Sequence, residues 1–465
     1  MQRILVGILS LLCCLGSITH AAEEKMVVAD LSQIKVLDLQ TAQSLALVGN
    51  PNMVAAQARV EQAKARIQQV AGTWWPSLDL TGSAVRQHLS NTSFQSNQVL
   101  SQFAGVSADQ TIDIYTAGVQ ATWVLFDGFS RTFKGQKADY DEQSTAAALI
   151  DSRRLLVTSV AEAFLNAQLA QTNVDIARAD EAFYTRQLED AQNRYNVGAG
   201  SWGDVLNIKV QLNSAKTSLM RYQREFEAAG YGLAALLGLS NSEFPAHMRL
   251  ETLDKESVTT GLQKSPETLI KEALTARPDV RRLEMVVKQA EAATGIAKAP
   301  FYPKVQVAGA VQGSNEGQTE GLSGNDFGNS VAVNMSWNLY AGSSDKARLL
   351  EAEQAKREAT YSLAGLRNTV AAEIRQDLAL LASAQEQVRL QRETVKLVQE
   401  NRDLAKNEYE AGQAALVRLN EAQRDLTTTH GRLAQAIVSY HLATQRLLSA
   451  TGQNLAAVDR PAKKK

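Results

Sequence analysis

Positions 77–244 and 304–460 contain no proline, so all eight prolines of this 465-residue chain lie outside its two longest stretches. Proline marks turns and breaks helices, and gaps of this length favour very long helices over three ordinary loop-rich domains. The charge balance adds an exclusion. Lys+Arg 48 against Asp+Glu 49 leaves a formal net charge of -1, without the basic excess expected of a nucleic-acid partner.

The two stretches are copies of one another. Ala46, Leu47, Pro51, Gln62 and Pro76 return 227 positions later as Ala273, Leu274, Pro278, Gln289 and Pro303. Beyond them the offset becomes 214, and Trp123, Gly128, Tyr195, Gly198 and Gly238 match Trp337, Gly342, Tyr409, Gly412 and Gly452. A repeat this long predicts two similar halves around a shared axis or groove. Their bounds are 22–238 and 239–452, with a tail at 453–465.

Residues 1–21 read as a secretory signal peptide, with Arg3 before an apolar run and Thr19-His20-Ala21 as a small-x-small cleavage site. Both cysteines, Cys13 and Cys14, fall inside it. Leu12 before Cys13 disfavours the alternative of a lipidated cysteine, which normally follows a small residue. No later segment has the ~18 consecutive apolar residues of a membrane-spanning helix.

Four segments alternate with period two, the signature of strands with one apolar face. They cover 77–85, 115–125, 305–311 and 331–339, giving one hairpin to each half at about 77–127 and 304–340. The polar stretches between them, 87–110 and 313–329, are expected to be loops. A soluble sheet packed on helices also alternates, but the aromatic residues favour another reading. Trp74, Trp75 and Trp123 in the first hairpin, and Phe301, Tyr302 and Trp337 in the second, all meet one rim, as in the girdle where a β-barrel leaves a bilayer. Four strands cannot close a barrel, and a bilayer tolerates no open edge, so several chains must contribute. Two would give eight strands, three would give twelve, and periodicity does not choose.

The remainder is helical. Segments 130–195 and 344–409 are rich in helix formers and each spans ~100 Å at 1.5 Å per residue. Ile374, Leu381, Val388 and Val395 recur every seven residues as a coiled-coil seam. Gly198 and Gly412 permit reversals into helices about half as long. Shorter helices at 51–73 and 278–298 cover the other half of each long one, and residues 22–50, 239–277 and the tail form a belt at the middle.

Together these residues resemble the TolC family of bacterial outer-membrane channels. The resemblance is carried by Leu-x-x-Asn-Pro at Leu47 to Pro51, echoed by Arg277-Pro278-Asp279, and by the aromatic-Pro pairs before the strands. It extends to Trp-x-Leu-Phe-Asp-Gly at Trp123 to Gly128 and to the reversals ending at Gly198 and Gly412. It implies a mainly α fold with a transmembrane β-barrel: a homotrimer whose four strands per chain build a twelve-stranded barrel above a long α-helical coiled-coil barrel. The implied function is passive export, by efflux or type I secretion, across the outer membrane. The implied partners are outer-membrane lipid, a periplasmic adaptor protein and an inner-membrane transporter.

The resemblance also carries site residues. The tips Val197, Gly198, Ala199, Ala411, Gly412 and Gln413 match the adaptor-docking turns, although the glycines also simply reverse the chain. The family's best-known members narrow the periplasmic mouth with an Asp-Val-Leu-Asp segment, where this chain has Arg418-Leu419-Asn420-Glu421. Asp204, Arg418 and Glu421 are therefore the aperture candidates, with Asp204 expected to pair with Arg418 as a latch. The loss of both aspartates argues against strong cation selectivity.

No catalytic constellation, metal site or cofactor site emerges. Gly198 to Gly203 fits G-x-G-x-x-G but follows a helix, where a dinucleotide fold needs a strand. The competing reading is an exported periplasmic coiled-coil scaffold with soluble hairpins.

Overall fold

The computed structural model describes residues 35–104, 109–244, 248–253, 265–317 and 322–458; the expected signal peptide with both cysteines, parts of the belt and the end of the tail lie outside the described residues. The first half runs β1 (Val36–Leu37), α1 (Leu39–Gly49), α2 (Pro51–Gly72), β2 (Ser77–His88), α3 (Asn91–Ala104), β3 (Thr111–Asp127), α4 (Ser130–Asn196) and α5 (Trp202–Leu237). The second runs β4 (Arg249–Leu250), α6 (Pro266–Ala276), α7 (Pro278–Lys298), β5 (Lys304–Gly317), β6 (Phe327–Ser336), α8 (Ser344–Glu410) and α9 (Leu416–Ala450), followed by α10 (Asn454–Val458).

The long helices form as the proline gaps require: α4 and α8 each hold 67 residues in one element. Ile374, Leu381 and Val388 of the expected seam are buried against Ile437, Tyr440 and Leu447 of α9, while Val395 is half-buried. Around α4 lie α2 and α5 of its own half and α7 and α9 of the other. The neighbours of α8 are α6, α7 and α9, all of its own half. That asymmetry leaves an apolar line on α8 uncovered, where Leu390, Leu397 and Leu404 recur at sevens and are exposed.

Two expected loops are corrected. The stretch 87–110 contains α3, started by the Ser90 hydroxyl, which accepts the Ser93 N–H at 3.3 Å. The stretch 313–329 is narrowed from both ends, because β5 stays paired with β3 as far as Gly317 opposite Asp113 and β6 begins at Phe327. The last strand also stops at Ser336, short of Trp337 and Leu339. Ser, Asn and Gly suit loops and polar strand faces alike, so composition places these boundaries poorly.

The four long strands form one antiparallel sheet in the order β2-β3-β5-β6, so β3 and β5 join the two hairpins while β2 and β6 are edges. Register places Leu80, Val119 and Val311 in one row and Trp123, Val307 and Val333 in another. Residues of the opposite parity give the rows Asp79, Gln120, Ala310, Ser330 and Gln306, Asn334. One face is therefore apolar and the other small and polar. The apolar face is bare: Leu80 is 74% and Val331 82% exposed.

At mid-length, β1 pairs in parallel with β4, and Leu37 and Leu250 join Leu156, Phe164 and Leu233 in one buried cluster. The described part of the expected belt lies here. Each half fastens its returning helix in an equivalent way. Asn50 donates from Nδ2 to the Leu236 carbonyl at 2.8 Å, and its counterpart Arg277 donates from Nη1 to the Ala450 carbonyl at 3.0 Å.

One turn of α8 beyond Glu373 sits Asp377, whose carboxyl is pushed up to about 6 by burial and then by the Glu373 charge. A carboxyl raised on folding binds its proton more tightly in the native state. The contribution of this group to stability is then fully present below pH ~4 and is lost as pH rises through ~6. Asp377→Asn should therefore stabilise the protein at pH 7.5 by up to roughly 2–3 kcal/mol, read as a higher thermal transition in detergent, with the difference from wild type closing toward pH 4. An equal shift at both pH values would count against this.

Candidate functional site

Two ends of the chain gather the residues singled out by sequence: the rim where the sheet meets the helices, and the distal tips.

At the rim, the indole nitrogen of Trp123 donates to the Trp74 carbonyl at 3.0 Å. The repeat reproduces this contact, with Trp337 donating to the Phe301 carbonyl at 3.2 Å. Each tryptophan thus ties the base of a hairpin to the residue just before it, and Arg131 lies over the Trp74 ring at 4.5 Å. Trp74, Trp75, Trp123, Phe301, Tyr302 and Trp337 are brought together at one end of the sheet and all remain exposed. A second aromatic level has no counterpart among the sequence expectations. Tyr115 and Phe327 share the apolar parity at the other end of the sheet, and Phe327 covers Gly313. The nine residues from Tyr115 to Trp123 match the ~9–11 residues with which a tilted strand crosses the apolar band of an outer-membrane barrel. Parity alone could have found Tyr115; Phe327 falls in a stretch whose composition reads as loop.

At the tips, both reversals close with the same pair of backbone bonds. Ala199 N–H donates to the Arg194 carbonyl and Gly198 N–H to that of Tyr195, at 2.8 and 3.0 Å. Gln413 and Gly412 repeat this to Glu408 and Tyr409 at the same two distances. Gly198 and Gly412 sit at φ +76 and +74, and a Cβ added to either would meet nothing within 4 Å. Backbone conformation alone therefore demands glycine there. The first tip is exposed from Val197 to Ser201, and Ala411, Gly412 and Gln413 are exposed in the second. The G-x-G-x-x-G segment is this helix-to-helix turn.

Beneath the turns the two tips pack together: Tyr184, Val205, Ile208, Leu212 and Leu416 are buried, with Tyr409 against them. Arg194 lies over the Tyr409 ring at 5.3 Å, and Asn420 donates to Asn207 at 3.2 Å. The Tyr409 hydroxyl is shifted up by burial and then by the nearby Asp204 charge, with Arg194 opposing. Asp204 lies in the first turn of α5, and Glu421 is exposed on α9. The expected latch is corrected within the chain, because Arg418 Nη1 lies 2.9 Å from Glu408 Oε2, on the helix entering the same turn. Spacing on one helix could not reveal a partner ten residues away across a reversal.

This geometry has counterparts among known proteins. The family model for outer membrane efflux proteins matches residues 42–239 and 269–453, one block in each half. Nodulation protein T of Rhizobium leguminosarum bv. trifolii is 24% identical over 385 residues, covering 82% of this chain and 78% of its own length. The cation efflux system protein CusC of Escherichia coli (strain K12) is 24% identical over 410 residues, covering 85% and 82%. A crystal structure of CusC superposes with a TM-score of 0.75 at 19% identity, covering 90% of this chain and 94% of that one. At that identity the superposition speaks for the fold.

Proposed function

This chain belongs to the outer membrane efflux protein family and is an outer-membrane efflux channel, and we propose that three copies close a ring in which it supplies four of twelve barrel strands and one third of an α-helical tunnel. The observation that carries this reading is the broken symmetry of the repeat. Helices α7 and α9 of the second half pack on α4. The equivalent packing of α2 and α5 on α8 finds no place in the chain, and the exposed Leu390, Leu397 and Leu404 mark the face left waiting for it. The same holds in the sheet, where the β3–β5 junction between halves has its counterpart in the two free edges, β6 and β2. A neighbouring copy supplies both missing contacts at once. Repetition of an open junction gives a closed ring, and the number three comes from the family resemblance.

In this ring the apolar face of the sheet, bare at Leu80 and Val331, meets lipid between its two aromatic levels. The two repeats, 22–238 and 239–452, alternate around the duct as six similar units. The tips Val197–Ala199 and Ala411–Gln413 present their glycine turns with the exposed Val197 and Gln413 side chains to a periplasmic adaptor, which couples the duct to an inner-membrane transporter. Asp204, Arg418 and Glu421 line the mouth, where Arg418–Glu408 acts as a clasp on the second turn. Transport is passive and uses no catalytic group of this chain.

The test is fractionation followed by conductance. The protein should remain with detergent extracts of the outer membrane as an SDS-sensitive trimer, and in planar bilayers Arg418→Ala should increase single-channel conductance severalfold by loosening the mouth. Release in soluble form by osmotic shock would support the scaffold reading and remove the duct. A trimer whose conductance is unchanged by Arg418→Ala removes the clasp alone.

A further inference from the structure

The cavity of about 690 Å³ at the junction of sheet and helices draws its lining from both halves, with Asp127, Arg131 and Lys134 from the first and Lys304 and Arg348 from the second. Its side is fixed by strand parity. Val124 and Ser336 in its wall belong to the polar face, opposite the lipid-facing parity of Trp123, Val307 and Val333. The cavity therefore opens toward the interior of the ring, one level below the sheet.

Its charges do not cancel. Asp127 is committed to Arg131, accepting that residue's backbone N–H at 3.0 Å and lying 3.4 Å from its Nε. Asp345 is 3.6 Å from Arg348 Nη1. Lys134 and Lys304 are exposed and have no ion-pair partner among the described residues. The next acid on the polar face of the sheet with a described side chain is Asp79, aligned with Ala310 through Gln120, six residues or ~20 Å along the strand from Lys304. That separation exceeds the ~10 Å screening length at 0.1 M salt within one copy; across the ring closure the neighbouring copy's Asp79 falls opposite Asn338 in the cavity wall and offsets one of the two lysines, which leaves one uncompensated positive charge per copy.

We propose that Lys134 and Lys304, with Arg348 held beside them by Asp345, form an anion-binding collar inside the duct at the base of the sheet, repeated in each copy, which holds solutes bearing carboxylate or phosphate groups on their way out. The proposal rests on the ring-shaped duct proposed above. Three copies bring the excess positive charge to one level of the water-filled duct, whose low-dielectric walls focus the field and concentrate counter-ions. Neutral and cationic solutes gain nothing from this level. It thus acts on the class of cargo, independently of the mouth at the other end of the helices.

The experiment uses the full-length trimer in planar bilayers under a KCl gradient, comparing wild type with Lys134→Gln/Lys304→Gln/Arg348→Gln. The chloride-to-potassium permeability ratio should fall about threefold or more at 0.1 M salt, and the difference should shrink at 1 M as screening sets in. Tripolyphosphate should block the wild type at roughly one tenth of the concentration that the variant requires, while Lys134→Arg/Lys304→Arg should behave as wild type. If the triple variant fails to assemble, Lys304→Gln alone is read in the same way, with a smaller shift. Channels whose permeability ratio and tripolyphosphate block are unmoved overturn the collar and leave the duct standing. A wild-type protein that forms no channel overturns both.

Discussion

Oxidation of a chain carrying Asn334→Cys and Ser83→Cys should convert the channel into a covalent ring that runs as linked dimers and trimers on a non-reducing SDS gel. The positions follow from the repeat. Across the junction between halves, Gln120 of β3 is paired with Ala310 of β5. The offsets of 214 and 227 carry Gln120 to Asn334 and Ala310 to Ser83, on the two edge strands. A bilayer leaves no strand edge unpaired, because unsatisfied backbone groups cost several kcal/mol each in hydrocarbon. The edges of neighbouring copies should therefore repeat the one junction that the chain already contains, with Asn334 opposite Ser83. Directly opposed residues in an antiparallel pair have Cα atoms ~4.5–5.5 Å apart, within disulfide reach. Both side chains have the polar parity and so face water. Asn334→Cys with Ala84→Cys is the control, since a shift of one residue puts the thiols on opposite faces. A ladder from the control as strong as from the designed pair, or none from either, would dismiss this closure. Background thiols are absent if the segment holding Cys13 and Cys14 is removed as expected.

The pair could be chosen because the repeat is legible in the sequence together with its offsets. The long helices are also legible, since missing proline and abundant helix formers act over many residues and tolerate local error. Strand parity is legible as well, because one face must be apolar along its whole length. What stays hidden depends on contacts between distant residues. The helix α3 rests on one capping serine in a polar stretch that composition describes equally well as loop. Phe327 gives no rim signal until β6 is known to begin there. The partner of Arg418 requires knowing that α9 returns beside the end of α8, which brings Glu408 within reach. The collar is the least visible of all. Lys134, Lys304 and Arg348 are far apart in sequence, in stretches of ordinary charge density, and only the meeting of the two hairpins with the two long helices makes them neighbours.

Arg277→Asn should destabilise the assembled channel by about 3–5 kcal/mol, and adding Asp279→Asn should restore most of that loss. Arg277 is buried, and besides the Ala450 carbonyl it binds Glu373 at 2.7 Å and both Asp279 oxygens at 3.1 and 2.8 Å. Burial alone would lower its pKa, but the hydrogen bonds and charges of Asp279 and Glu373 outweigh that and raise it. For Asp279 burial works upward, and Arg277 with Arg154 outweighs it and holds the carboxyl below its usual range. A buried pair of this kind adds little net stability, whereas removing one member leaves the other charged in a poorly solvating interior. The first half contains the neutral alternative. Its equivalent segment is Asn50-Pro51-Asn52, in which Asn50 caps Leu236 through Nδ2 and accepts the Asn52 N–H at 2.9 Å. Arg277→Asn alone copies the carbonyl cap but leaves the Asp279 charge with the Val280 N–H at 2.9 Å and, as its nearest remaining cation, Arg154 at 4.0 Å. The double substitution copies the whole segment and removes that charge. Thermal dissociation of the trimer in detergent would read the difference, and a single variant as stable as the double would mean that the ion pair contributes no more than the cap already provides.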